Sequence, residues 1–122
     1  MYIDRNPPPT KSDVEKFVSG IKFKLPTGYI EFMKETNGAD VSFENAYLIL
    51  WPLTDLISLN QEYGVDEFAP HFFLIGSDGG DTAYAISRKS SNIYEMPFIG
   101  MSNEEAVLIS NDFNGLLNEL NK

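Results

Sequence analysis

The strongest periodic signal lies near the carboxyl end, where Phe113, Leu116, Leu117 and Leu120 recur at i, i+3, i+4 and i+7. That spacing predicts an amphipathic helix with one face in a core, and Ser110 is the residue expected to cap it. A second stripe, Tyr29, Phe32, Met33 and Thr36, predicts a shorter helix within Leu25–Gly38. Pro26 suits its first turn, Asn37-Gly38 suits its end, and Glu31, Lys34 and Glu35 fall on its wet side. Further upstream, Ser12-Asp13-Val14-Glu15 has the form of a capping box, which predicts a helix from about Asp13 to Val18 or Gly20. Thr54 is expected to cap a fourth helix running through Glu62, with Leu56, Ile57 and Leu59 as its apolar contacts.

Between these helices the pattern shortens to that of strands. Val41–Phe43 and Tyr47–Trp51 read as strands joined by Glu44-Asn45. The second run is apolar on both faces, which predicts a central strand covered by helices, and Pro52 ends it by removing a ladder donor. Tyr63–Pro70 reads as a connecting loop. Phe72–Ile75 and Thr82–Ser87 flank Gly76-Ser77-Asp78-Gly79-Gly80-Asp81, a glycine-rich segment suited to a hairpin turn with an acidic tip. Asn92–Glu95 is a further strand, stopped near Pro97. The order of elements predicts an α+β fold, a mostly antiparallel central sheet flanked by helices, as one domain over residues 1–122. Residues 1–11, with Pro7-Pro8-Pro9, read as an N-terminal arm. Phe32, Trp51, Leu74, Ile75, Tyr84, Phe113 and Leu117 are the expected core.

Composition narrows the function classes. At 122 residues and 43% hydrophobic content the chain can bury one core. It has no apolar run of bilayer length and no signal-peptide pattern at its start, so a cytoplasmic location is expected. Without cysteine it has no disulfide, thiolate nucleophile or cysteine-type zinc site. A formal charge of -9 argues against nucleic acid or an anionic membrane as a partner, since Lys and Arg dominate recognition of both. The distribution sharpens this: Glu35, Asp40, Glu44, Asp55, Glu62, Asp66, Glu67, Asp78 and Asp81 fall in a span to Ser87 that holds no Lys or Arg. A surface of that sign keeps a protein soluble, and it also speeds encounter with a basic partner.

Catalytic patterns are sparse. His71 is the only histidine and no G-x-S-x-G elbow accompanies it, so it reads as a surface residue at a strand entry. Asp78-Gly79-Gly80-Asp81 lacks the twelve-residue ligand series of a calcium loop, no metal or other cofactor is expected, and no phosphate-binding GxxxxGK[ST] motif occurs. Asp78, Asp81 and Glu95 could supply paired carboxylates, but nothing in the sequence buries one so that it would hold a proton. No catalytic residue is assigned.

The Leu25-Pro26 to Asn37-Gly38 helix, Leu50-Trp51-Pro52-Leu53, Asn60 and the Gly76–Asp81 loop follow one another in an order that resembles the SMI1/KNR4 family (SUKH superfamily) from about Ser12 to Leu120. Many relatives carry a longer glycine run before the aspartate. The resemblance implies a non-enzymatic interaction domain: in bacteria an immunity protein that neutralises a polymorphic toxin, in fungi a module of cell-wall and signalling assemblies. Combined with the charge, it points to a basic protein partner, most simply a nuclease toxin domain. Asp78 and Asp81 at the hairpin tip, with Glu62, Asp66 and Glu67 at a helix end and the following loop, are the candidate partner-binding residues.

Overall fold

The computed structural model describes residues 1–122. One seven-stranded antiparallel sheet runs in sequence order: β1 (Tyr2–Arg5), β2 (Ala39–Ser42), β3 (Tyr47–Leu50), β4 (Phe72–Ser77), β5 (Thr82–Ser87), β6 (Ile93–Pro97) and β7 (Val107–Ser110). Helices α1 (Lys11–Gly20) and α2 (Tyr29–Thr36) fill the β1–β2 connection, α3 (Leu53–Glu62) and α4 (Val65–Phe68) the β3–β4 connection, and α5 (Phe113–Leu120) ends the chain. This is the expected α+β architecture.

The main core lies on one face of the sheet. Phe17 of α1, Tyr29 and Met33 of α2, Leu53 and Leu56 of α3, and Phe113 and Leu116 of α5 pack there against Val41, Leu48, Leu50, Phe73, Ile75, Tyr84 and Ile86. A smaller cluster covers part of the opposite face, where Val65 and Ala69 meet Phe72, Leu74, Ala83, Ala85, Met96 and Met101. The strand covered on both sides is therefore β4, all six of whose residues are buried. The two-sided covering expected for Tyr47–Trp51 does not hold: Leu48 and Leu50 are buried, whereas Tyr47 is exposed and Ile49 partly so. Of the expected core, Leu74, Ile75, Tyr84 and Phe113 are buried, while Phe32, Trp51 and Leu117 lie half-buried at its margin.

Local chemistry explains the altered boundaries. The first helix starts earlier than Ser12 would place it, because Thr10 and Asp13 form the capping box: the Asp13 N–H donates to Thr10 Oγ1 at 3.0 Å and the Thr10 N–H to Asp13 Oδ2 at 3.2 Å. Asp112, not Ser110, caps α5, its Oδ1 accepting from the Gly115 N–H at 2.7 Å, because Ser110 is the last residue of β7. Thr54 caps nothing; the α3 start is held by Asn37, whose Oδ1 accepts from the Leu53 N–H at 3.0 Å. Asn37 also closes α2 in a left-handed conformation (φ 46°), and its carbonyl accepts from Asn6 Nδ2 at 2.9 Å. Gly38 follows because a Cβ there would lie 2.6 Å from the Leu50 carbonyl oxygen. Pro26 sits in a turn ahead of α2 rather than inside it, with the Tyr29 N–H donating to the Pro26 carbonyl.

Three elements fall outside the sequence reading. Tyr2–Arg5, within the predicted N-terminal arm, pairs with β2 as an edge strand. Val107–Ser110 pairs with β6 as the other edge, and α4 forms one helical turn where a loop was expected.

Candidate partner-binding surface

The β4–β5 hairpin carries the acidic tip. Asp78 is partly buried and its carboxylate holds the turn: Oδ1 accepts from the Gly80 N–H at 2.8 Å and from the Thr82 N–H at 3.2 Å. Ser77 Oγ accepts from the Gly79 N–H at 3.1 Å. These side-chain bonds satisfy amides that the short loop cannot pair with backbone. Asp81 is exposed, and with Glu95 and Glu105 it lines a shallow hollow across the ends of β5, β6 and β7. The Tyr84 hydroxyl nearby is pushed up to about 12, first by burial and then by the fields of Glu95 and Asp78, which disfavour a phenolate.

The second acidic group lies elsewhere. Glu62 ends α3, and Asp66 and Glu67 sit on α4, all three exposed. Asp66 faces Arg88 at 3.5 Å, a solvent-exposed pair worth little. The Arg88 guanidinium lies over the Phe23 and Phe73 rings, and its Nε donates to the Phe72 carbonyl. Asp66 is thus at the Phe72–Ser87 end of the hairpin, while Asp78 and Asp81 are at its tip. Six β4 residues at about 3.3 Å each put roughly 20 Å between them. The two groups nominated from sequence form separate acidic regions.

Between these regions lies an aromatic surface that the sequence reading missed. The Trp51 and Tyr63 rings stack with centroids 5.8 Å apart and an interplanar angle of 6°, and Phe98 closes the group at 4.9 Å from Tyr63. Tyr63 is 42% exposed and the adjoining Ile99 88%. The available signal was that Trp51 follows Tyr47 and Ile49 at period two, on the face opposite Leu48 and Leu50. The Phe98 N–H donates to the Asp81 carbonyl at 2.9 Å, which ties the aromatic group to the acidic tip. On the other side, Phe68 crowds Gly64: a methyl there would lie 3.1 Å from the Phe68 ring, with Glu67 Oε2 in ordinary contact at 3.9 Å.

On the open face of β1–β3, Asp4 and Asp40 are register partners. The neighbouring Tyr47 hydroxyl is raised by partial desolvation and by those two carboxylates. His71 is exposed, next to β4, and its N–H donates to Asn103 Oδ1. No three His, Cys, Asp or Glu side chains converge in a metal-binding arrangement.

Fold and surface together define an α+β domain with a partly exposed aromatic group between acidic regions. A family model, SMI1 / KNR4 family (SUKH-1), matches residues 8–119, and the chain belongs to that family. No curated protein sequence matched it. No helix is long and apolar enough to cross a membrane.

Proposed function

We propose that this chain is a non-enzymatic, cytoplasmic immunity protein that binds and neutralises a toxin domain with a basic surface, most simply a nuclease. Family membership supports a protein-binding role. The observation that carries the partner's sign is the acidic span from Glu35 to Ser87, which contributes both the hairpin tip at Asp78 and Asp81 and the exposed Glu62, Asp66 and Glu67. A nuclease must attract phosphate, so an acidic protein that covers its substrate groove competes in the same electrostatic terms. Inhibition of this kind is steric and electrostatic, with no bond made or broken.

The magnitudes are accessible. A standard interface covers about 800 Å² per partner, enough to bridge the roughly 20 Å between the two acidic regions. Nanomolar affinity corresponds to about 12 kcal/mol, which a few buried aromatic anchors and steered association can reach. The test is co-expression with the toxin domain encoded by a neighbouring gene. Growth should be restored by this chain, and purified toxin should co-elute with it. Unrelieved toxicity with no complex at micromolar concentrations would reject the assignment.

A further inference from the structure

We infer that the Trp51–Tyr63–Phe98 group is the centre of the docking surface and receives an arginine side chain from the basic partner, an inference that rests on the protein-binding reading above. Tyr63 stacks on Trp51 nearly in parallel and leaves 42% of its own surface to solvent. Phe98 supports it at 4.9 Å. A platform of flat rings, preorganised by mutual stacking, orders at little entropic cost when a partner arrives, and Trp and Tyr are the residue types that dominate interface centres.

Charge complementarity selects the occupant. Segments 49–53, 62–68, 78–82 and 95–99, which build and border the platform, contain no Lys or Arg. The same segments carry Glu62, Asp66, Glu67, Asp78, Asp81 and Glu95, of which Glu62, Asp66, Glu67 and Asp81 are exposed. A cation that approaches the rings therefore meets bordering segments of net negative charge. Arginine fits better than lysine because its planar, weakly hydrated guanidinium stacks on an aromatic face while its N–H groups still reach carboxylates. An apolar occupant alone would leave those carboxylates facing a low-dielectric contact, which costs affinity.

Trp51 is the only tryptophan, so its emission reports on the platform directly. The experiment titrates the full chain with a hexa-arginine peptide and with a hexa-lysine peptide at equal low ionic strength, following Trp51 fluorescence. The arginine peptide should produce a saturable change and bind about two- to fivefold more tightly than the lysine peptide. Tyr63→Ala should abolish that preference and Tyr63→Phe should retain it, with thermal melts confirming that both variants are folded. Asp81→Asn with Glu67→Gln should weaken both peptides alike. Equal binding of the two peptides, or an arginine preference that survives Tyr63→Ala, would overturn the inference. Its failure is separable from that of the immunity reading: a toxin domain bound equally by the wild type and Tyr63→Ala rejects the platform and leaves the assignment intact. An arginine preference lost in Tyr63→Ala supports the platform even if no toxin is neutralised.

Discussion

Asn60 provides a quantitative test of how the sheet is held open where β3 leaves β4. The two strands pair only at Ile49–Ser77 and Leu50–Gly76, so beyond that point β4 has no strand neighbour on its β3 side. Asn60 of α3 takes the missing strand's place: Nδ2 donates to the Leu74 carbonyl at 3.0 Å, and Oδ1 accepts from the Leu74 N–H at 2.7 Å. Nδ2 also donates to the Leu56 carbonyl at 2.8 Å, which fixes the amide's orientation. The side chain is buried, at 7% exposure, and Leu74 is fully buried. Asn60→Ala would leave two backbone groups without partners at about 1–3 kcal/mol each, so a loss of about 2–6 kcal/mol is expected. Against a typical total of about 5–15 kcal/mol this is a large fraction. Urea unfolding followed by Trp51 emission and far-ultraviolet circular dichroism should show a lower midpoint at unchanged slope. Asn60→Leu, which keeps the branched shape but not the polar groups and is bulkier, should cost at least as much as the alanine variant. If either variant loses less than about 1 kcal/mol, the Leu74 groups have another partner and the clamp argument is wrong.

Other outcomes follow from the core. The Tyr29 hydroxyl is buried without a hydrogen-bond partner, so Tyr29→Phe should stabilise the fold by about 1 kcal/mol and raise the melting temperature by a few degrees in calorimetry. The phenols of Tyr29 and Tyr84 both have raised pKa values, that of Tyr84 to about 12, so above pH 10 the unfolded chain releases protons that the folded chain retains. Stability should be constant with respect to these two groups below pH 10 and fall as pH rises from 10 toward 12, with a shallower fall in Tyr84→Phe. Phe113 is 1% exposed and packs against Tyr29 and Phe32, so Phe113→Ala should cost about 3–5 kcal/mol in denaturant titration.

What the sequence disclosed tracks how much of each element is buried. The α5 stripe, the α2 stripe and the β4–β5 hairpin were readable because each presents a continuous apolar face to a core. The edge strands β1 and β7 were not, since neither has a fully buried residue and neither alternates strongly. Alternative caps obscure the first helix start: Thr10 and Ser12 both stand three residues ahead of an acid, and only the fold decides which hydroxyl meets an amide. The acidic residues were legible as composition but not as geometry. Asp66 and Asp78 are twelve positions apart, but β4 carries the chain from one end of the hairpin to the other between them. The aromatic platform was hidden because Trp51, Tyr63 and Phe98 come from three distant segments that only the folded sheet and the α3–α4 connection bring together.

The most direct test of the account is the association rate of this chain with the toxin domain proposed as its partner, at low and high salt. Asp78→Asn with Asp81→Asn is a clean perturbation, since asparagine at 78 keeps the oxygen that accepts from Gly80 and Thr82 and so preserves the turn. A Glu62, Asp66, Glu67 triple neutralisation probes the other acidic region. Stopped-flow mixing should show a wild-type on-rate that falls steeply with ionic strength, and in each variant a slower rate with a weaker salt dependence. Association that is insensitive to salt, and unchanged in both variants, would contradict docking through the acidic surface.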